Sequence, residues 1–158
     1  MLPVDHYGSC RVERGNNCIQ LVDRCDVIQM TDLPGNHRTS EWLTNNARGK
    51  TLVVGGGLGL DVDVLLQCPN VTSIAVMERD LDIADALRQH YPMIMVVGIS
   101  YDLSSLMKVQ DTIWLDVWPN YDHDSLTKCK LEVERLKRFN PNAIVGARLV
   151  EYEKIGGG

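Results

Sequence analysis

The sequence lacks a long hydrophobic run, and its cations are not gathered into a basic patch. No basic stretch precedes an apolar one near Met1, and no apolar stretch is long enough to span a membrane. The 16 Lys and Arg residues are scattered among 21 Asp and Glu, which gives a net charge of −5. A surface that coats nucleic acid needs clustered cations. We therefore expect a cytoplasmic protein with no membrane partner, and its charge does not indicate a nucleic-acid partner.

The sequence also lacks a C-x-x-C pair. Its five cysteines form an odd set, which favours reduced thiols over a disulfide framework or a zinc site. Two aspartates flank His123, but adjacent residues rarely converge on one metal ion. We expect Asp124 to cap a helix that starts at Ser125 instead, and we expect no bound metal.

The residues that are present suit a folded globular protein. The chain has 158 residues, of which 44% are apolar and 23% are charged. That length and composition are enough for a hydrophobic core. We expect an N-terminal β-strand extension over residues 1–35, a larger domain over residues 36–155 and a flexible tail over residues 156–158.

The N-terminal part has the pattern of a small antiparallel β element. Extended segments are predicted at residues 10–13, 18–22 and 27–31, with turn chemistry at residues 15–17 between the first two. A break at residues 34–36 follows. Thr39 or Ser40 is then expected to cap a helix that ends near Gly49.

From Lys50 onward, strand and helix patterns alternate. Strands are predicted at residues 51–54, 73–77, 93–97, 113–117 and 143–150, and helices at residues 61–67, 81–90, 103–107 and 125–139. This alternation predicts an α/β fold: a Rossmann-like, doubly wound, mainly parallel sheet that is truncated after its fifth strand. Ligands of such sheets bind at the carboxyl ends of the strands, where the strand order reverses.

A glycine-rich loop follows the first predicted parallel strand. Gly55, Gly57 and Gly59 form a G-x-G-x-G pattern, with Gly56 between the first two. Glycines let the backbone turn tightly and let a ligand approach without a Cβ in the way. A dinucleotide-binding G-x-G-x-x-G loop would need a glycine where Leu60 stands. The spacing is typical of methyltransferase-like folds, and a plain tight turn is the alternative.

An acidic residue stands at the end of the second predicted parallel strand. Glu78 lies about twenty residues after the glycines, where a carboxylate binds a ribose diol in nucleotide-binding sheets. A solvated acid in a turn is the alternative for Glu78, and Asp80 is expected to cap the next helix.

The third parallel strand leads into a segment that would line an adenine ring. Ser100 or Asp102 is expected to hydrogen-bond the edge of the base, and Ile99 or Tyr101 to pack on its face. Asp102 is equally well placed to cap the next helix.

The fourth parallel strand ends in a candidate catalytic carboxylate. Asp116 would lie beside the glycine loop, where it can orient an amine or hydroxyl nucleophile or take its proton. Trp118 can offer a π face to a cationic or planar substrate. The alternatives are that Asp116 caps the next element and that Trp118 belongs to the core.

Five segments in order resemble the spermidine synthase family, a branch of the class I methyltransferase-like fold. They are the strand and loop at 51–57, the acidic turn at 76–80, the strand at 111–116, the strand at 26–32 that carries Gln29, and the helix start at 40–43 that carries Glu41. The resemblance implies S-adenosylmethionine or its decarboxylated form as cofactor. It also implies Gln29 near the nucleoside, Glu41 near the acceptor, and Asp116 as the catalytic aspartate. We further expect Gln29 and Trp118 to border the acceptor pocket.

Several family residues are replaced. Leu58 stands where the family has an aspartate, Thr39 and Ser40 replace a tyrosine and a glutamine, and Val117 begins a segment without the family's second acid. These changes favour methyl transfer to an unidentified acceptor over aminopropyl transfer from decarboxylated S-adenosylmethionine. A ligand-degrading or non-catalytic binding domain is a further alternative. Because an open sheet leaves edges to cover, we also expect a homo-oligomer.

Overall fold

The computed structural model describes residues 1–98, 109–118 and 122–156. Nine strands form two sheets in these residues: β1 (Asp5–Tyr7), β2 (Cys10–Arg14), β3 (Ile19–Val22), β4 (Ile28–Thr31), β5 (Gly49–Val54), β6 (Val71–Glu78), β7 (Met95–Gly98), β8 (Thr112–Leu115) and β9 (Ile144–Ala147). The helices are α1 (Pro34–Asn46), α2 (Leu60–Leu66), α3 (Leu81–His90), α4 (His123–Phe139) and α5 (Arg148–Lys154).

The N-terminal sheet is an antiparallel meander in the order β1-β2-β3-β4. It confirms the three extended segments predicted from the sequence and adds β1. Asn17, in the turn between β2 and β3, has a φ of 66°. Asparagine tolerates that left-handed conformation better than most residues, which explains the turn signal there.

The second sheet is parallel throughout, in the order β7-β6-β5-β8-β9. The chain winds outward from β5 through β6 to β7, then returns to the other side of β5 and continues through β8 to β9. The strand order therefore reverses between β5 and β8, which places the switch point beside the glycine loop. The predicted Rossmann-like, doubly wound fold is confirmed.

Both faces of the parallel sheet are buried. Along β5, Val53 belongs to the core on one face, whereas Leu52 and Val54 belong to the core on the other. The Val53 side also holds α3, the start of α2 and apolar residues of the N-terminal sheet, such as Val12 and Leu21. The opposite side holds the apolar stripe of α4. The N-terminal sheet and the parallel sheet thus share one continuous apolar cluster.

Helix α1 starts earlier than predicted. It begins at Pro34 rather than after a cap at Thr39 or Ser40. Proline suits the first turn because it lacks an N–H and has a preset φ. The Thr39 and Ser40 hydroxyls instead donate to the carbonyl of Asn36, at 2.8 and 3.1 Å, inside the helix.

Two further boundaries are corrected. The predicted last strand, residues 143–150, ends at Ala147, and the chain continues as α5 from Arg148. Within the described residues the sheet therefore has the five predicted strands, but a helix follows the last of them. At the start of α4 the cap is Asp122, whose carboxylate accepts from the N–H of Ser125 at 2.7 Å; Asp124 lies within the first turn.

The predicted helix at residues 103–107 lies outside the described residues. All five cysteines are free thiols. In the part of the chain that the structure describes, no helix combines the length and apolar character needed to cross a membrane.

Candidate functional site

A cavity of about 730 Å³ lies at the carboxyl ends of the parallel strands. The glycine loop after β5 and the ends of β6 and β8 form one side of it. The N-terminal sheet closes the other side through residues that include Cys10, Gln29 and Met30. The cavity thus occupies the switch point between β5 and β8, where sheets of this type bind ligands.

The glycines are required by close contacts. Gly55 has a φ of +92°, and a Cβ there would lie 2.1 Å from the carbonyl oxygen of Asp116. Gly57 has a φ of +45°, and its Cβ would lie 2.7 Å from the sulfur of Met30. A side chain at either position would therefore meet both backbone strain and a collision.

Gly56 and Gly59 lie beside the cavity rather than in its lining. A Cβ on Gly56 would lie 2.4 Å from a methyl group of Leu87, and one on Gly59 would lie 2.7 Å from the hydroxyl of Tyr91. These two glycines let the loop pack tightly against α3 and the start of the next loop. Gly56 and Gly59 therefore face the core side of the loop and not the cavity.

Glu78 joins the end of β6 to the glycine loop. Its Oε2 accepts from the N–H groups of Gly56 and Gly57 at 2.8 and 3.2 Å. Its Oε1 accepts from the N–H of Asp80 at 2.9 Å. The carboxylate is half-buried and lines the cavity. Since a carboxylate has about four lone-pair sites, these three N–H groups fix its orientation and leave one acceptor site on Oε1.

The rim next to Glu78 is tied to the N-terminal sheet by two more carboxylates. Asp80 caps α3 by accepting from the N–H groups of Asp82 and Ile83, as predicted. Its Oδ2 also accepts from the thiol of Cys10 at 3.2 Å. Burial and the neighbouring Asp80 raise the pKa of Cys10 to about 11. Asp82 accepts from the N–H and the hydroxyl of Ser9 at 2.8 and 2.9 Å.

The N–H groups of the glycine loop are all used within the chain. Besides the two that Glu78 accepts, Gly55 donates to the carbonyl of Met77 at 2.8 Å, and Gly59 donates to that of Gly56 at 2.8 Å. The N–H of Leu58 points at the sulfur of Met30, 3.3 Å away. A ligand at this loop therefore meets glycine Cα surfaces and carbonyls rather than free N–H donors.

Leu58 itself is fully buried in the core. Its carbonyl accepts from the N–H of Leu2 at 2.7 Å. The leucine that replaces an aspartate of the resembled family therefore contributes to packing and does not face the cavity.

Asp116, at the end of β8, lines the cavity and contacts a buried arginine. Its Oδ1 lies 2.9 Å from Nε of Arg148, and the two side chains are 10% and 4% exposed. The N–H of Nε does not point at the carboxylate, so the contact is an ion pair rather than a hydrogen bond. Burial, only partly offset by Arg148, raises the pKa of Asp116 to about 6; Asp61 and Glu78 add to the rise.

Arg148 is held by a second buried carboxylate. One of its terminal nitrogens donates to Oδ1 of Asp61 at 2.6 Å, and the other donates to the hydroxyl of Thr39 at 2.6 Å. Asp61 also accepts from the hydroxyl of Ser40 at 2.7 Å and from the indole N–H of Trp114 at 2.8 Å. The result is a buried row of alternating charge: Asp61, Arg148 and Asp116.

The described lining of the cavity is acidic. It holds five carboxylates and two guanidinium groups: Asp23, Glu78, Asp80, Asp82 and Asp116 against Arg24 and Arg79. Such an excess of negative charge favours a cationic ligand. No group of His, Cys, Asp or Glu in the described residues is arranged to hold a metal ion.

Most of the residues predicted for the site come together. Gly55, Gly57, Glu78, Asp116 and Trp118 all line the cavity. Trp118 is partly buried against the core on the α4 side, so it belongs both to the lining and to the packing.

Gln29 also lines the cavity, but its side chain is committed within the N-terminal sheet. Its amide donates to Oδ2 of Asp23 at 2.7 Å. Glu41 is exposed on α1 and is not part of the described lining. Ser100 and Asp102 lie outside the described residues.

The residues that sequence reasoning missed include Met30, which lines the cavity, and Asp61 and Arg148, which lie behind Asp116. A signal existed for two of them. Arg148 interrupts an otherwise apolar run, and Asp61 stands between two apolar neighbours; a charge in such a place needs a partner when it is buried. Met30 gave no signal, because only the folded N-terminal sheet brings it to the loop.

No protein-family model and no curated protein sequence matches the chain. Solved structures do resemble it. Spermidine synthase in complex with the transition-state analogue AdoDATO has a TM-score of 0.55 and 16% identity, covering 94% of this chain and 59% of that one. Spermidine synthase from Thermotoga maritima has a TM-score of 0.49 and 18% identity, covering 82% and 52%. TYW2 of M. jannaschii in complex with AdoMet has a TM-score of 0.45 and 13% identity, covering 83% and 60%.

The chain spans less than two thirds of the length of each of these structures. At 16% identity, the likeness to the AdoDATO complex establishes a fold and not an activity. This chain has the Rossmann-like fold of that spermidine synthase.

Proposed function

We propose that the chain binds S-adenosylmethionine, or its decarboxylated form, in this cavity and acts as a transferase, moving a methyl group to an unidentified acceptor. The observation that carries the proposal is the junction of Glu78 with the glycine loop at the strand-order switch point. A ribose needs an oriented carboxylate beside a surface without side chains. Glu78 supplies the carboxylate, and Gly55 and Gly57 supply the surface.

The residues present fit such a ligand. Glu78 keeps an acceptor site for a ribose hydroxyl, since three N–H groups occupy only part of its capacity. The acidic lining suits a sulfonium cation. When bound, a sulfonium compound supplies an electrophilic carbon. Asp116 would orient the nucleophile of the acceptor or hold its proton, and above pH 6 it is mostly ionised and able to do so.

Aminopropyl transfer is a second candidate, favoured by a separate observation. The loop N–H groups from Gly55 to Gly59 all donate within the chain, so they offer little to the carboxylate of S-adenosylmethionine. The five carboxylates of the lining would also repel that group. A donor without a carboxylate, such as decarboxylated S-adenosylmethionine, avoids both costs.

Calorimetric titration with S-adenosylmethionine, decarboxylated S-adenosylmethionine and NAD tests the proposal. Saturable binding of either sulfonium compound, without NAD binding, supports it. The tighter of the two indicates methyl or aminopropyl transfer. Failure of both to bind would rule out the transferase and every other use of these ligands, including their breakdown.

A variant at Glu78 tests whether the ribose binds at this carboxylate. Glu78→Gln should weaken binding about 10- to 100-fold, because a hydrogen bond to a charged group contributes about 1.5–3 kcal/mol. Glu134→Gln is the matched control, since Glu134 lies exposed on α4, away from the cavity. Equal affinity in both variants would show that the ribose does not lie on Glu78. If binding occurs, Asp116→Asn should retain it and lose turnover; a non-catalytic binding domain would show no turnover in either form.

A further inference from the structure

The N–H groups of the buried Arg148 are shared unequally. Four bond residues of α1 and α2, and the fifth, on Nε, lies near Asp116 at the cavity. The two terminal nitrogens of Arg148 donate to the Asn36 carbonyl at 2.7 Å, to Thr39 and Asp61 at 2.6 Å each, and to Ser40 at 3.4 Å. These four bonds use the four terminal N–H groups of a guanidinium. Only Nε remains, and it lies 2.9 Å from Oδ1 of Asp116 in an ion pair without a hydrogen bond.

Asp61, Arg148 and Asp116 form a row in which the charges alternate. Asp61 and Arg148 are each 4% exposed and form an ion pair at 2.6 Å, so together they are close to neutral. Asp116 lies on the far side of the guanidinium, 2.9 Å from it. The ion pair with Arg148 uses one oxygen of Asp116, and the residue lines the cavity.

We propose that Arg148 and Asp61 are positioning residues for Asp116: Arg148 holds one carboxylate oxygen so that the other serves the cavity, and Asp61 limits how strongly Arg148 neutralises it. Asp61 is itself anchored by Trp114 on β8, next but one to Asp116. One buried network therefore fixes both the position and the charge environment of the carboxylate. This inference rests on the proposed function in treating Asp116 as the group that meets the acceptor.

Stability alone does not account for this arrangement. A buried ion pair is weak support for stability, because desolvation costs as much as the attraction returns. Asp116, a second buried carboxylate beside that pair, adds a further desolvation cost. Burial lowers the pKa of Arg148, but Asp116 and Asp61 raise it above its ordinary value, so the guanidinium stays charged.

The groups that face Asp116 come from four elements. They are Asp61 on α2, Glu78 on β6, Cys129 on α4 and Arg148 on α5. Burial raises the pKa of Cys129 to about 12, so its thiol stays neutral through the range in which Asp116 titrates. Asp61 and Glu78 oppose ionisation of Asp116, and Arg148 favours it.

Carboxyl ¹³C NMR of the full chain, with labelled aspartate, measures the titration of Asp116 without any ligand. The resonance is identified by its absence in Asp116→Asn. In the unmodified chain we expect a midpoint near pH 6. Asp61→Asn should lower the midpoint by about one pH unit or more, because it leaves the guanidinium uncompensated. Arg148→Gln should raise it by about one unit or more.

Ser40→Ala is the matched control. It removes the hydroxyl that donates to Asp61 but no charge, so the Asp116 midpoint should stay near that of the unmodified chain. A purely structural network would lose stability in all three variants without opposite shifts of the midpoint. An unchanged or raised midpoint in Asp61→Asn would overturn the proposal. If both charge variants fail to fold, the unmodified chain decides: a midpoint at the ordinary aspartate value near 4 would overturn it.

The NMR titration of Asp116 tests the network, and the ligand titrations test the proposed function, so either proposal can fail while the other holds. Opposite midpoint shifts without sulfonium binding would retain the network and end the proposed transferase function. Sulfonium binding, with an Asp116 midpoint that neither charge variant shifts, would support the proposed function and end the network proposal.

Discussion

Replacing Gly55 by alanine tests how closely the glycine loop and the end of β8 are joined. An alanine there would have a φ of +92°, and its Cβ would lie 2.1 Å from the Asp116 carbonyl oxygen. A left-handed backbone costs a non-glycine residue about 1–2 kcal/mol. Relief of the collision by backbone movement costs about 1–3 kcal/mol more, as overpacking does elsewhere. We therefore expect Gly55→Ala to lower the free energy of unfolding by about 2–5 kcal/mol.

Gly156→Ala is the control for the backbone strain. Gly156 has a φ of +93°, and nothing lies within 4 Å of its Cβ position. It should cost about 1–2 kcal/mol or less. Urea unfolding of both variants, followed by circular dichroism, gives the difference between them, which isolates the collision with Asp116. Equal losses in the two variants would refute the close approach of the loop to β8.

Three further predictions follow from the described contacts. Asp80→Ala should lower the free energy of unfolding by about 1 kcal/mol in urea titrations, because it removes the cap of α3; an unchanged value would show that the cap is redundant. The raised pKa of Asp116 means that the folded chain holds the proton of this carboxyl more tightly than the unfolded chain does. The contribution of Asp116 to stability therefore falls as the pH rises from about 4 to about 6. Asp116→Asn should therefore gain in stability relative to the unmodified chain from pH 4.5 to pH 7.5, and a constant difference would contradict the shift. We also propose a homo-oligomer, since β7 and β9 are open sheet edges in the described residues; a monomer in analytical ultracentrifugation would refute this.

The fold could be predicted where local signals and tertiary structure agree. Helix α3 was predicted over the same residues that the structure shows, because Asp80 caps it and its apolar positions recur at helical spacing. Helix α1 was predicted to start too late because Pro34 and Thr39 both carry start signals, and the sequence does not rank them. The boundary between β9 and α5 was missed for another reason. A short apolar run is compatible with a strand or a buried helix, and only the contacts of Arg148 decide between them.

The site could be predicted from the positions at the ends of strands. Gly55 and Asp116 each follow a parallel strand and Glu78 ends one, and such strands present their carboxyl ends to one edge of the sheet. Contacts between distant segments could not be predicted in this way. The pairing of Asp61 with Arg148 spans 87 positions, and the approach of Met30 to Leu58 depends on how the N-terminal sheet packs.

Amide NMR with S-adenosylmethionine and its decarboxylated form tests the central claim, that a nucleoside sulfonium compound binds beside Glu78. We expect the largest chemical-shift changes at the N–H groups of Gly56, Gly57 and Asp80, because all three donate to the Glu78 carboxylate. The amide of Glu134 on α4 should not move. No change with either compound, or changes confined to residues away from the cavity, would contradict the account.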